Sequence, residues 1–410
     1  MSSPAERRGS WVADHLAEMV SPAVRALAET PRFPLFPPDA VPFGGGLPDP
    51  DTLPHAGLAE ASVRVLRDEY RMALQYGGIP GYSKLRDWVV KWTQRDEELP
   101  LTADNVALQS GSAHGLHNVC EAFLGPGDVA LVEAPTYPGA LRTIRSRMAE
   151  IVSIPTDGGG IVTPALEEAI TEREAGGRRP KLLYTIPQFH NPAGTTMLRK
   201  RREELLEICR RHHVLIVEDD AYGDLRFGGD PVPSLLTLSR GDGVLRLGTF
   251  SKIIAAGLRA GWTIGPRDLI DTLNRTRFDN GGSPFVQRII AAYIDSGALE
   301  PHVEVMCRVY GEKCAAMLAA LDRHCAPYAS WTRPDGGFFI WLTLREGIDV
   351  RDVARFAAQE KVAFFPGPMF FANGDGSCHL RLAFSFVALD LIEEGVRRLA
   401  RALARAAGEP

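Results

Sequence analysis

One lysine stands among hydroxyl and small apolar residues, a setting that suits covalent chemistry better than a surface charge. Lys252 follows Thr249 and Ser251, precedes the apolar run 253–256, and lies seven positions before Arg259. The apolar run would partly desolvate the ammonium group, which favours the neutral amine and its attack on an aldehyde. The residues alone support two interpretations: a Schiff-base lysine, or a lysine that snorkels from a half-buried strand end beside two turn hydroxyls.

Two charged residues lie in apolar segments, where an isolated charge would be costly. Asp219 follows the most apolar predicted strand, and Tyr222 comes three positions later. A carboxylate buried there needs a cationic partner. Arg381 lies inside another apolar strand pattern, and a buried guanidinium needs an anion. Asp219 and Arg381 are therefore candidate binding residues. The two acids that flank Asp219, Glu218 and Asp220, either support the site or are simply solvated.

Ser112 and Ala113 stand where a predicted strand turns into a helix. The free backbone N–H groups and the positive end of the helix dipole at such a turn can hold a phosphate. Serine is also a common N-cap in helices that bind nothing. The S-G-S turn is therefore weak evidence by itself.

Five further residues have an ordinary structural explanation beside a functional one. These explanations are a buried tyrosine for Tyr137, a structural N-P-x-G turn for Asn191, an interfacial tyrosine for Tyr76, a flexible turn for Gly46 and a surface salt bridge for Arg25.

Five motifs follow one another along the chain: S-G-S at 110–112, N-P-x-G at 191–194, D-x-x-Y at 219–222, S/T-x-S-K with its arginine at 249–259, and L-R-L-x-F-S at 380–385. Together they resemble the motifs of fold-type I pyridoxal-phosphate (PLP) aminotransferases of class I/II. The likeness is greatest to the kynurenine and 2-aminoadipate aminotransferase branch, and it extends from about residue 12 to the last helix.

The resemblance implies an α/β fold, with a large domain built on a mostly parallel, seven-stranded-type sheet flanked by helices and a smaller α+β domain. It implies PLP as the cofactor and Lys252 as the catalytic lysine, which carries the internal aldimine and moves a proton between substrate and cofactor. Asp219 would keep the pyridine nitrogen protonated, so that the ring accepts electrons. Tyr222 and Asn191 would hydrogen-bond the phenolic oxygen.

The other implied contacts divide between the cofactor and the substrate. The cofactor contacts fall on Ser112, Ala113, Tyr137, Thr249, Ser251, Arg259 and, across a homodimer interface, Tyr76. The substrate contacts fall on Gly46, Asn191, Arg381, which clamps the α-carboxylate, and Arg25 at the distal end.

The implied activity is transfer of the amino group of an α-amino acid to a 2-oxo acid. His190 and the segments 77–80 and 278–284 depart from the family pattern near the site. The substrate and the outcome therefore stay open, because decarboxylation-coupled deamination, elimination or oxidation would use the same residues. A ligand-sensing regulator is a third hypothesis, which the short, non-basic segment before Phe43 disfavours.

The segments that position these residues alternate between strands and helices from residue 105 onward. Apolar strands that are each followed by a helix predict a parallel sheet buried on both faces, with ligands at the carboxyl ends of its strands. We expect an N-terminal helix and arm at 1–45 that packs with the small domain, a large domain at 46–285 and a small domain at 286–410.

Individual elements are expected outside this alternating region as well. They are a disordered segment before residue 11, an amphipathic helix at 11–30 interrupted at Pro22, an extended proline-rich arm at 31–42, helices at 55–71 and 84–95, a long helical stretch at about 285–321, and a strand at 362–365.

Composition excludes several classes of protein. The chain has 410 residues and a formal net charge of -5, which gives no basic stripe for nucleic acid, and the arginines of 199–202 and 210–211 fit a solvated helix face. The six cysteines have no zinc or C-x-x-C spacing, so we expect free thiols and no metal. No apolar stretch reaches membrane-spanning length, and a cytoplasmic protein is expected. The resemblance implies a homodimer, because the sites of the family are built across the two-fold axis.

Overall fold

The computed structural model describes residues 15–16, 18–27, 37–95 and 99–409. The expected disorder before residue 11, both ends of the helix expected at 11–30, and the start of the proline-rich arm lie outside the described residues. Within them, a short helix begins at Pro22, and the hydroxyl of Ser21 caps it by accepting a hydrogen bond from the backbone N–H of Val24.

The strands are β1 (Val41–Pro42), β2 (Val106–Gln109), β3 (Val129–Ala134), β4 (Glu150–Asp157), β5 (Gly160–Ile161), β6 (Leu182–Thr185), β7 (Leu215–Asp219), β8 (Val244–Thr249), β9 (Gly261–Ile264), β10 (Ala329–Trp331), β11 (Phe339–Leu344), β12 (Val362–Ala363), β13 (Phe365–Pro366) and β14 (His379–Ala383).

The α-helices are α1 (Pro22–Arg25), α2 (His55–Asp68), α3 (Tyr70–Ala73), α4 (Ser83–Thr93), α5 (Ser112–Phe123), α6 (Pro138–Arg145), α7 (Thr163–Ala175), α8 (Arg199–Arg211), α9 (Leu235–Leu238), α10 (Arg267–Arg275), α11 (Pro284–Asp295), α12 (Leu299–His324), α13 (Val350–Gln359) and α14 (Ile392–Ala406).

The central sheet has eight strands in the order β2-β9-β8-β7-β6-β3-β4-β5. Neighbouring strands pair in parallel except for the pairs made by β9 and β5, which confirms the mostly parallel sheet. The strand beyond the expected seven is β5, which has two residues and lies at the edge. Because β2, β6, β7 and β8 run in the same direction, their carboxyl ends meet at one edge of the sheet.

Both faces of the central sheet are buried. Successive residues of β6 show this arrangement, since Leu182 and Tyr184 belong to one apolar core and Leu183 belongs to another. Side chains of a strand alternate between its two faces. Each face therefore has its own core.

A second, antiparallel sheet has the order β10-β11-β14-β13, and β1 pairs in parallel with β12. The strand expected at 362–365 is two short strands in different sheets, with Phe364 between them. The carbonyl of Phe43 also accepts a hydrogen bond from the backbone N–H of Ala383 at 2.7 Å. The segment after the N-terminal arm thus contacts the C-terminal part of the chain, and the three-part division stays a prediction.

Two expected helices are each divided into two. The helix expected at 285–321 consists of α11 and α12, separated at Gly297, whose φ of +74° suits glycine. The helix expected at 55–71 ends at Asp68, and α3 begins two residues later. No helix in the described residues is long and apolar enough to cross a membrane.

Candidate active site

Lys252 lies just beyond the carboxyl end of β8, where its amine enters a cleft. Its Nζ donates a hydrogen bond to the carbonyl of Gly46 at 2.9 Å and lies 5.7 Å from the ring centre of Tyr222. Burial, together with the cations of Arg381 and Arg259, lowers the pKa of Lys252 to about 8, against the opposing effect of the Asp219 carboxylate. A substantial fraction of this amine is therefore neutral and nucleophilic near neutral pH.

The two hydroxyls that precede Lys252 also shape the turn. The backbone N–H of Ser251 donates to Oγ1 of Thr249 at 3.1 Å, and both side chains are buried. Thr249 is thus a turn hydroxyl, as one interpretation proposed, and it lines the cleft as well.

Asp219 is the last residue of β7 and has one unsatisfied carboxylate oxygen. Its Oδ2 accepts a hydrogen bond from the hydroxyl of Tyr184 at 2.5 Å, whereas its buried Oδ1 has no partner in the described part of the chain. Burial raises the pKa of Asp219 to about 6, against the opposing effect of the Tyr184 hydrogen bond. A buried acceptor without a donor is costly. This oxygen can therefore receive a cationic N–H group from a bound molecule.

A helix N-terminus and an arginine form an anion-binding corner of the cleft. The backbone N–H groups of Ser112 and Ala113 lie in the first turn of α5, where a helix has no acceptors of its own for them. Gly111 precedes them at φ +90°, and a side chain at this position would approach Nη2 of Arg259 to 3.1 Å. The guanidinium donates to the carbonyl of Ser110 at 3.2 Å. Phosphate oxygens match this set of donors.

Arg381 is buried in β14, and the hydrogen-bond acceptors that it has in the described part of the chain are neutral. Its two terminal nitrogens donate to Oδ1 of Asn191 at 2.8 Å and to the carbonyl of Gly44 at 2.7 Å, while its Nε has no partner. Burial lowers the pKa of Arg381 to about 10. A guanidinium held by neutral acceptors can bind a carboxylate that enters the cleft.

Aromatic rings line the region around this guanidinium. Its carbon lies 4.1 Å from the ring centre of Phe339, 4.9 Å from that of Phe365 and 5.0 Å from that of Phe370. The ring of Tyr222 packs edge-on against Phe339 at 5.5 Å, and burial raises the pKa of the Tyr222 hydroxyl. The tyrosine therefore stays protonated and available as a hydrogen-bond donor.

The cleft has a volume of about 310 Å³ and brings together all but two of the residues that the sequence singled out. Those that line it are Gly46, Ser112, Ala113, Tyr137, Asn191, Asp219, Tyr222, Thr249, Ser251, Lys252, Arg259 and Arg381. Tyr76 and Arg25 are exposed and do not line the cleft of this protomer. Their roles stay predictions.

Some contacts of the site were missed by the sequence analysis. The sequence analysis placed Tyr184 only in a strand. A tyrosine at the end of an apolar pattern could have indicated a hydroxyl with a buried partner. Nε2 of His190 lies 3.1 Å from a carboxylate oxygen of Glu133, and its Nδ1 accepts from the backbone N–H of Ala193 at 3.2 Å. This buried network fixes the turn that carries Asn191. The sequence gives no sign that His190 and Glu133 contact each other.

The acids on either side of Asp219 have structural roles. Glu218 accepts hydrogen bonds from the first two N–H groups of α9, and Asp220 forms an ion pair with Arg246. The expectation of a solvated arginine face on α8 is wrong for Arg202, which is buried. Its guanidinium donates to the backbone carbonyls of residues 187, 197 and 233, because the surrounding loops leave those acceptors free.

The chain matches the family model described as aminotransferase class I and II over residues 38–399. The aromatic-amino-acid aminotransferase 1 of Thermococcus litoralis is 38% identical to it over 367 residues, which are 89% of this chain and 88% of that protein.

Two solved structures have the same fold over nearly their whole length. The kynurenine aminotransferase of Pyrococcus horikoshii, in complex with PMP and with kynurenine as substrate, is 36% identical, has a TM-score of 0.86, and covers 95% of this chain and 96% of its own. The α-aminoadipate aminotransferase LysN of Thermus thermophilus, complexed with N-(5'-phosphopyridoxyl)-L-leucine, is 34% identical with a TM-score of 0.84, and the match covers 96% of this chain and 97% of that one.

Proposed function

The chain belongs to the aminotransferase class I and II family, whose enzymes depend on pyridoxal phosphate, and we propose that it moves the amino group of an α-amino acid to a 2-oxo acid with Lys252 as the cofactor lysine. One observation carries this proposal. Three groups in the described part of the chain face a single cleft. They are the Lys252 amine, whose pKa is lowered, the Asp219 carboxylate oxygen that has no donor, and the Arg381 guanidinium that has no anion.

The residues of the cleft fit the cofactor at each of its polar groups. The unsatisfied Oδ1 of Asp219 would accept the pyridine N–H, and the first turn of α5 would bind the phosphate together with Arg259, Thr249 and Ser251. Tyr137 would cover one face of the ring. The bound cofactor supplies an electron sink for the electrons released at the substrate Cα.

Lys252 would hold the cofactor aldehyde and then act as the base and acid at the substrate Cα. Its lowered pKa suits both tasks, because a proton-transfer group works best when its pKa lies near the working pH. The Gly46 carbonyl would keep the released amine close to the reacting carbon. Tyr222 and Asn191 would donate hydrogen bonds to the phenolic oxygen of the cofactor.

Arg381 would bind the substrate α-carboxylate, and Asn191 would help to orient the guanidinium. The rings of Phe339 and Phe365 and the side chain of Leu47 make the adjoining wall apolar. We propose an amino acid with an aromatic or large apolar side chain as the substrate. The names of the aromatic-amino-acid and kynurenine aminotransferases among its relatives support that choice.

A homodimer with shared active sites is also part of the proposal. Large apolar side chains are exposed along α2, α3 and the following loop, with Phe278 close by: Val63, Leu66, Tyr70, Met72, Leu74 and Tyr76. Monomeric proteins rarely expose such a contiguous patch. Tyr76, which is 87% exposed, would reach the cofactor phosphate bound by the second copy.

A panel of amino acids tests the activity. Each would carry isotopically labelled nitrogen and be incubated with the cofactor-loaded enzyme, with and without a 2-oxo acid. Transfer of the label to the amino acid formed from the 2-oxo acid is expected for aromatic substrates. Release of carbon dioxide or ammonia in the absence of an acceptor would instead indicate decarboxylation, elimination or oxidation.

A further inference from the structure

In the glycine loop, residues 43–50, three backbone carbonyls accept hydrogen bonds from side chains that are distant in sequence. The Gly46 carbonyl accepts from Nζ of Lys252 at 2.9 Å, and the Gly44 carbonyl accepts from Arg381 at 2.7 Å. The Leu47 carbonyl accepts from the hydroxyl of Ser385 at 2.7 Å. The position of this loop therefore sets the surroundings of the amine and of the guanidinium at the same time.

A buried ion pair fixes the C-terminal end of the glycine loop. Nζ of Lys313, on α12, lies 2.6 Å from Oδ2 of Asp49, and the two side chains are only 5% and 8% exposed. Lys313 also donates to the carbonyl of Ser385 at 3.2 Å, and the backbone N–H of Asp49 donates to the hydroxyl of Tyr310 at 3.1 Å. Ser385 thus contacts both the ion pair and the loop.

The glycine loop has little room to move without losing these contacts. A Cβ added at Gly46 would lie 2.7 Å from the ring of Phe339, which is itself part of the cleft wall. A buried ion pair adds little net stability compared with an apolar pair of the same size, but it requires one geometry of its two partners. The pair is therefore better suited to fix a position than to stabilise the fold.

We propose that Asp49 and Lys313 are positioning residues, whose ion pair holds the glycine loop so that its carbonyls orient Lys252 and Arg381. This inference rests on the proposed function of those two residues. Loss of the pair would loosen the loop, which would weaken binding of the substrate carboxylate by Arg381. It would also change the surroundings of the Lys252 nitrogen, and with them the pH at which that nitrogen titrates, whether it is free or linked to the cofactor.

Three variants separate positioning from stability. Asp49→Asn and Lys313→Met each leave one buried charge unpaired, so both should lower the melting temperature. The double variant removes both charges and keeps the side-chain volumes, so its melting temperature should return close to that of the wild type. Its KM for the amino acid should nevertheless stay raised by about tenfold or more, with a smaller change in kcat.

A second measurement follows the pH dependence of the visible absorption of the cofactor-loaded enzyme. We expect its midpoint to shift by about half a pH unit or more in the double variant. The charged groups that face Lys252, namely Asp219, Arg381 and Arg259, are unchanged in every variant. Ser385→Ala, which removes only the hydroxyl contact to Leu47, should give smaller changes in the same direction.

Met317→Ala is the matched control, because Met317 is buried on α12 one turn beyond Lys313. It should lower the melting temperature and leave KM and the pH midpoint unchanged. If the double variant restores KM and the midpoint together with stability, the pair is only structural and the inference is wrong. If the single variants do not fold, the double variant and Ser385→Ala decide the question with the same two measurements.

The wild type separates this inference from the function on which it rests. If the wild-type enzyme binds the cofactor at Lys252 and transfers amino groups while the double variant behaves as wild type, the inference alone fails. If the wild type forms no covalent link to the cofactor through Lys252, the proposed function fails and the positioning role fails with it.

Discussion

At Asp219, we expect one buried carboxylate to have opposite effects on stability with and without the cofactor. Its pKa is raised by burial from 3.8 to about 6, so the stability it contributes is present below pH 4 and is lost as the pH rises through 6. The difference between these two pKa values corresponds to about 3 kcal/mol in the free energy of unfolding. We therefore predict that Asp219→Asn stabilises the cofactor-free protein by about this amount at pH 7.5 and not at pH 4, as measured by denaturant unfolding.

In the cofactor-loaded form, Asp219→Asn should be unfavourable. The asparagine lacks the charge that matches a protonated ring nitrogen, so cofactor affinity and kcat should both fall, by about 10²-fold or more for kcat. Equal stability of the cofactor-free wild type and variant at pH 7.5 would contradict the assignment of a charged, donor-free Oδ1.

Arg381 gives a second prediction for a single residue. Arg381→Ala should lower kcat/KM by about 10² to 10³-fold, mostly through KM, because the substrate carboxylate loses its buried cation. The visible spectrum of the bound cofactor should persist. Arg25→Ala, measured in parallel, tests the predicted contact at the distal end of the substrate; an unchanged KM for every amino acid would remove Arg25 from the site.

Several site residues could be predicted because their types conflict with their surroundings. Lys252, Asp219 and Arg381 are charged groups in apolar patterns, and all three line one cleft, where Asp219 and Arg381 are buried and Lys252 is half-buried. The hydrogen bond from Tyr184 to Asp219 and the ion pair between Asp49 and Lys313 could not be predicted. Each joins segments that are distant in sequence, and the pattern of one segment carries no information about its partner.

At the level of elements, the N-terminus of α5 offers a test of phosphate binding. Gly111→Ala would force φ +90° and ψ 163° on a residue with a Cβ, at a cost of about 1–3 kcal/mol, and would bring that Cβ to 3.1 Å from the guanidinium of Arg259. We predict that the dissociation constant of the cofactor rises by about tenfold or more.

Gly127→Ala is the matched control for that variant. Gly127 also has a positive φ, +83°, and no atom lies within 4 Å of an added Cβ, so the substitution strains the backbone and leaves the cleft untouched. Gly127→Ala should therefore lower the stability of the protein and leave its affinity for the cofactor unchanged. Equal loss of affinity in both variants would mean that strain, and not the phosphate corner, explains the effect.

The sequence predicted those elements whose apolar pattern is long and regular. β2, β6 and β7 were placed within a residue or two, and their carboxyl ends carry or precede the polar residues of the cleft. The long helical stretch expected at 285–321 is two helices, because Gly297 breaks it with a backbone conformation that an apolar count does not register. The division of 362–365 between two sheets depends on partners from β1 and β14, which no local pattern specifies.

For the whole molecule, the central prediction is a dimer in which each subunit completes the other's site. We expect a solution mass close to twice 44.8 kDa. Lys252→Ala should be inactive. Tyr76→Ala should have strongly reduced activity, because each subunit loses the contact that Tyr76 of the other subunit makes with its cofactor phosphate.

Mixing these two variants should restore activity. One site of each mixed dimer has an intact lysine and receives Tyr76 from the other subunit, so an equal mixture should regain about a quarter of the wild-type sites. No recovery after subunit exchange, or a monomeric mass at enzyme concentrations used in assays, would contradict the shared site.

The most direct test of the proposed function asks which residue holds the cofactor. The cofactor-loaded enzyme would be reduced with borohydride, digested, and its peptides sequenced by mass spectrometry. We predict a phosphopyridoxyl group on Nζ of Lys252, and loss of both this label and the visible absorption band in Lys252→Ala. A label on another lysine, or an enzyme that takes up no cofactor while correctly folded, would contradict the account.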